Sequence, residues 1–174
     1  MLANKINFAA SVATFCMFLG GSAQAANANH NWQLITTNDR AFSVMMPGVP
    51  KAKTEQGKSQ NGVTWTSTIY DYVTPDNSEG FNITVVDFSA NLDAAGFLEE
   101  QRKTEAGRGK ILWQHDETLN GHPGKKIAAT NGKIIWVAEV YVAGNRIYYV
   151  RYTTTNLLHG VMSAAPFLES FKIA

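Results

Sequence analysis

The chain has 174 residues, 45% of them hydrophobic and 17% charged. That balance belongs to one ordinary globular domain and excludes a disordered protein. Lys and Arg number 15 against 14 Asp and Glu, and no long block of like charge survives, which excludes the electrostatic footprint of a nucleic-acid binder.

The first 25 residues read as a cleavable export signal. Lys5 supplies a positive start, Phe8–Leu19 (FAASVATFCMFL) an apolar middle, and "AQA" at Ala23–Ala25 a small-x-small end. As a helix the apolar run reaches only roughly 18 Å, short of the ~30 Å hydrocarbon core, so a membrane anchor is disfavoured. Cleavage is expected between Ala25 and Ala26, with a second possibility after Ala28. Cys16 is the single cysteine and lies inside the apolar run, preceded by Thr14 and Phe15. A lipoprotein signal wants small residues there, so lipid attachment is not expected. The mature chain would have no cysteine, hence no disulfide and no thiolate site. With Lys5 gone it would also be neutral. A periplasmic or secreted location follows, with no membrane span in the mature chain.

Residues 26–31 (ANANHN) read as a mobile polar leader, and residues 32–174 as a single domain. Strand signals come next. "WQLIT" and "AFSVMM" flank the turn-like Asn38-Asp39, and Pro47 and Pro50 end the second strand because proline cannot donate to a ladder. "KAKTEQ" is extended. "VTWTSTIYDYV" follows Asn61-Gly62, and "GFNITVVDF" follows the loop 74–79. Residues 91–106 (NLDAAGFLEEQRKTEA) are expected to form a helix capped by Asn91 or Asp93 and closed by Gly107. Phe97 and Leu98, with Ala94, would form its buried face, and acids such as Glu99 and Glu100 its solvated one.

Strand 111–119 precedes "LNGHPGKK", after which "GKKIAAT", "KIIWVAEVYVA" and "RIYYVRYTT" form a meander. Asn-Gly at 61–62, 120–121 and 131–132 and Gly-Asn at 144–145 accept the positive φ angles of tight hairpins. A second helix is expected over Asn156–Ala165, ended or kinked by Pro166. The order is five strands, helix, four strands, helix, an α+β pattern of mostly antiparallel twisted sheet flanked by two helices.

"AFSVMMPGVP", "LNGHPGKK", and "RIYYVRYTT" followed by "APFLESFKI" together resemble the PsbP-like fold family over residues 32–173. In that family a proline-ended entry strand, a central hairpin with a Gly-x-Pro-Gly turn and a closing strand with terminal helix occur in this order. The resemblance implies an antiparallel sheet flanked by helices, and a member that binds another macromolecule without catalysis. It brings no catalytic residues with it.

Candidate chemistry is sparse. His122 lies between glycines and before Pro123, so Gly121, His122, Pro123 and Gly124 read as a structural turn. In "QHDE", His115 and Glu117 share one strand face and Asp116 takes the other. Two local ligands fall short of a zinc site. His30 lies in the leader, and His159 opens the second helix region. "QGKSQ" lacks the first glycine of a phosphate loop and the helix that must follow. No nucleophile elbow, Ser-x-x-Lys or His-Glu-x-x-His is present. No catalytic residue, metal or cofactor is therefore assigned.

The reading is a non-catalytic accessory or protein-binding module whose partner is another envelope protein. The alternatives are a periplasmic hydrolase with a site assembled in space (His115 or His159 with a serine and a carboxylate) or a carrier of metal or a small ligand. Period-two alternation places Val63, Trp65, Ser67 and Ile69 opposite Tyr70 and Tyr72, and Trp136, Ala138, Val140 and Val142 opposite Glu139 and Tyr141. Tyr70, Tyr72, Tyr141, Tyr149 and Arg151 are the candidate interaction surface, since aromatic residues and arginine dominate interfaces. Burial of these rings against a helix is the competing expectation.

Overall fold

In the computed structural model, residues 31–37, 41–59, 62–157 and 162–174 are described. The export signal, most of the leader, the Asn38-Asp39 turn, Asn61, His30 and His159 lie outside them. Ten strands and two α-helices follow in order: β1 (Gln33–Thr36), β2 (Phe42–Met46), β3 (Lys51–Lys58), β4 (Thr64–Val73), β5 (Glu79–Phe88), α1 (Ala94–Arg108), β6 (Lys110–Leu119), β7 (His122–Thr130), β8 (Ile135–Ala143), β9 (Arg146–Thr154), α2 (Ala165–Leu168) and β10 (Lys172–Ile173). A seven-stranded sheet runs β3-β4-β5-β9-β8-β7-β6, and a three-stranded sheet runs β1-β2-β10. Every pairing is antiparallel. This is the expected single α+β domain.

Alternation sorts the side chains to two faces, because successive residues of a strand point to opposite sides. Phe81, Ile83 and Val85 of β5, Val137 and Tyr141 of β8, and Tyr148, Val150 and Tyr152 of β9 meet the small sheet and α2 through Phe42, Val44, Met46, Phe167 and Phe171. The opposite face carries Val86, Phe88, Ala138, Val140, Val142, Ile147 and Tyr149 beneath Leu98 of α1, with Trp65 and Phe97 at its margin. Trp65 therefore lies on the helix side and Tyr70 and Tyr72 on the small-sheet side, as the alternation of β4 requires.

Helix α1 starts where Asp93 caps it, its carboxylate accepting from the Gly96 N–H at 3.2 Å. It runs past Gly107 to Arg108, and Gly109 ends it in extended backbone. The expected stop at Gly107 is thus corrected: a glycine in a helix costs about 1 kcal/mol relative to alanine, too little to end one held by tertiary contacts.

The second helix is corrected where it is described; residues 158–161 of the expected span lie outside the described residues. Asn156 is not helical, and β9 ends at Thr154. A short 3₁₀ turn at Met162–Ala164 leads into α2, which contains Pro166 in its first turn. There the missing N–H costs nothing and the fixed φ suits the helix, so Pro166 starts the element instead of ending it. The terminal strand β10, unforeseen in the sequence, pairs with β2 at Lys172–Ser43 and Ile173–Phe42.

At "LNGHPGKK" the turn proper is Asn120-Gly121, with φ of 50° and 82°, the two left-handed residues a two-residue hairpin demands. His122, Pro123 and Gly124 are the first residues of β7, paired with Leu119, Thr118 and Glu117.

Candidate functional site

Two edges bound the large sheet, and they differ. β3 exposes Lys51, Lys53 and Lys58, the lysine guard that keeps an edge from pairing with other chains. β6 carries one exposed lysine, Lys110, at its start, and none from Ile111 to Leu119. A register shift between Ile111 and Trp113 leaves Leu112 opposite no residue of β7. Such a bulge re-aims side chains at an edge. Leu112 is 45% exposed and Trp113 37%. The Trp113 ring stacks on His115, with centroids 5.5 Å apart and planes 14° apart. The result is a contiguous apolar and aromatic step on an open strand. Asp116, further along, is paired with Lys125.

Under α1 lies a node that sequence reasoning missed. Glu105 is fully buried, and its two oxygens accept from four donors on three elements. Trp136 Nε1 of β8 donates to Oε2 at 2.7 Å. Oε1 receives Arg151 Nη2 at 2.6 Å, the Tyr149 hydroxyl of the same strand β9, and Arg108 at 3.1 Å. Fully buried and held by four donors, this carboxylate is out of reach of a substrate. It tethers the helix. Burial pushes the Tyr149 hydroxyl up, well beyond its ordinary range, so it stays a phenol and a donor. The signal was present: Leu98 and Glu105 are seven apart, hence on one helical stripe, and Trp136, Tyr149 and Arg151 fall on the sheet face that meets it.

The five nominated residues do not form one patch. Tyr70, Tyr72 and Tyr141 face the small sheet, whereas Tyr149 and Arg151 face α1. Tyr141 and Tyr149 are buried, and Tyr70 and Tyr72 half-buried. Tyr70 packs edge-on to Phe42, with ring centroids 5.3 Å apart. The tyrosines therefore line the sheet beneath its covering layers.

His115 Nε2 lies 3.9 Å from Glu117 Oε2. Among the described residues no three His, Asp or Glu side chains converge to hold a metal ion. Glu99 and Glu100 pair with Arg102 and Lys103 on the solvent side of α1. A cavity of about 40 Å³ between β2, β4, β5 and β9, lined by Phe42, Tyr70, Asp87 and Arg146, has room for a water or two and none for an organic substrate. No helix among the described residues is long and apolar enough to cross a membrane.

Neither a protein-family model nor a curated protein matches this chain. A solved structure does: the solution structure of cyanobacterial PsbP (CyanoP) from Synechocystis sp. PCC 6803. It matches with a TM-score of 0.54 at 12% identity, over 88% of this chain and 98% of that one. The chain has the PsbP-like fold that its motif order resembles. At that identity the likeness is one of fold.

Proposed function

We propose that the chain is a non-catalytic binding module of the bacterial envelope, cut between Ala25 and Ala26 on export, that takes an extended segment of another envelope protein along β6. The observation that carries the reading is the exposed Leu112–Trp113 step on a strand that, among the described residues, has a neighbour on one side only. Strand addition draws affinity from the unpaired backbone of such an edge and specificity from side chains beside it. Tryptophan is among the residues enriched as interface anchors. The fold likeness to PsbP agrees with an accessory role, and the apolar run before "AQA" supports export.

The test is capture from envelope extract, with the exported protein as bait once its intact mass has been shown to begin at Ala26. Wild type is expected to retain a partner that Trp113→Ala and Leu112→Ser lose, while both variants melt within a few degrees of wild type. Equal capture by wild type and two well-folded variants would remove β6 as the binding edge. A full-length species held in the membrane would remove the export half of the reading.

A further inference from the structure

We infer that a protonated Glu139, Tyr141 and Glu117 form a hydrogen-bonded clamp that fastens the edge strand β6 to the sheet under mildly acidic conditions and slackens as the pH rises. The inference needs no partner and is independent of the proposed function.

The pairing registers create the cluster. In one row across the sheet stand His115 of β6, Lys126 of β7 and Glu139 of β8; in the next stand Glu117, Gly124 and Tyr141. Gly124 has no side chain, so the Tyr141 ring lies over it. A Cβ there would sit only 2.4 Å from a ring carbon. The phenol thus spans β7 entirely and donates to Glu117 Oε1 at 2.7 Å. The same hydroxyl oxygen stands 3.1 Å from Glu139 Oε2. Phe171 stacks on the ring from the small-sheet side, with centroids 6.0 Å apart and planes 15° apart.

A phenol has one proton to give. Both contacts are hydrogen bonds only when a second proton sits on a carboxyl group, and the geometry names the group. Glu139 is 2% exposed, and a buried carboxyl favours its neutral form. When neutral it can donate to the tyrosine oxygen, completing a chain Glu139–Tyr141–Glu117. Lys126 pairs with the other oxygen, Oε1, and leaves that contact free.

The remaining neighbours are accounted for by strand. On β6, Glu117 adds like charge, and His115, in the same row as Glu139, lies 3.9 Å from Glu117. On β9, Val150 stands opposite Glu139 and Tyr148 opposite Tyr141, and neither brings a carboxylate. Burial, the largest influence, lifts the Glu139 carboxyl above the usual range, and the Glu117 charge adds to it; Lys126, and the phenol when it donates to an ionised Glu139, oppose this. Burial and the two carboxylates push the Tyr141 hydroxyl up, so it remains the donor.

The sign follows by linkage. A carboxyl whose folded value is raised contributes stability that is fully present below the unfolded glutamate value, about 4.3, and is lost as pH rises through the folded value. Glu139→Gln mimics the neutral acid and cannot titrate. Thermal melts of the full chain and of Glu139→Gln between about pH 4 and 8 are therefore compared as a difference, which cancels the titrating groups remote from Glu139. Wild type is expected to fall relative to the variant by roughly 2–4 °C across the window. Over the same rise, amides of 113–119 should lose protection relative to β8 and β9 in wild type only, after correction for intrinsic exchange. In infrared spectra a protonated-carboxyl band should persist above the ordinary glutamate range in wild type and vanish in the variant. A melting difference that is flat with pH, or no such band, would overturn the clamp; β6 protection that falls equally in both proteins would overturn its role in fastening that strand.

Discussion

The two faces of the seven-stranded sheet are covered by opposite means. Against the small sheet and α2, cohesion is spread over many large rings: Phe81 alone meets Trp32, Tyr152 and Phe167 at centroid distances of 5.8, 5.2 and 5.4 Å. Against α1 it is concentrated. Only Leu98 and Glu105 of that 15-residue helix are buried, and the carboxylate binds four donors. Dispersion and hydrophobic burial degrade gradually when one contributor is lost, because neighbours relax. A single buried ion node does not, since removing its charge strands every donor it had satisfied. One covering layer is glued on, and the other is pinned.

The comparison breaks or sharpens on three sets of variants, the largest effect first. Glu105→Ala is expected to cost about 3–5 kcal/mol, the range for breaking a buried pair from one side. Its exchange signature should be selective, with α1 amides losing protection while β5 and β9 keep theirs. Phe167→Ala should cost a similar ~3–5 kcal/mol, yet loosen the molecule as a whole. If chemical denaturation with exchange mapping shows the same pattern for both, the distinction between glued and pinned is wrong. Next comes Gly124→Ala, which drives a methyl into the Tyr141 ring and should cost about 1–3 kcal/mol by overpacking. A neutral result would mean that the ring does not rest on β7.

The smallest effect belongs to the Asn120-Gly121 turn. Gly121→Val must place a β-branched residue at φ 82° and should cost about 1 kcal/mol or more. His122→Ala, with or without zinc, should stay within roughly 0.5 kcal/mol of wild type. A zinc-dependent stabilisation lost in His122→Ala would reopen the histidine as a ligand.

Much of this architecture was legible. Period-two alternation placed Trp65 opposite Tyr70 and Tyr72, and Trp136 opposite Tyr141, because a half-buried strand cannot slip by one residue without turning its core outward. Asn-Gly pairs located the hairpins for an equally local reason. What escaped was set by distant partners. β10 spans only Lys172–Ile173, too short for any periodicity, and exists because β2 offers an edge. Glu105 reads as one more solvating acid until Trp136, Tyr149 and Arg151 are known to lie beneath it. The Leu112–Trp113 step likewise depends on which strand is the sheet's edge, and strand order is a property of topology.

The central seam, β5 against β9, carries a consequence for time. Its partners are far apart along the chain: Glu79 and Tyr152, joined by a 2.5 Å hydrogen bond, are separated by 73 positions. Everything from α1 through β8 lies inside that loop, and β2 waits longer still for β10. Local hairpins close in microseconds, whereas pairings across such separations pay loop-closure entropy first and set the pace of folding. Until the final third of the polypeptide arrives β5 has no β9 to pair with, so closing this seam follows the local hairpins.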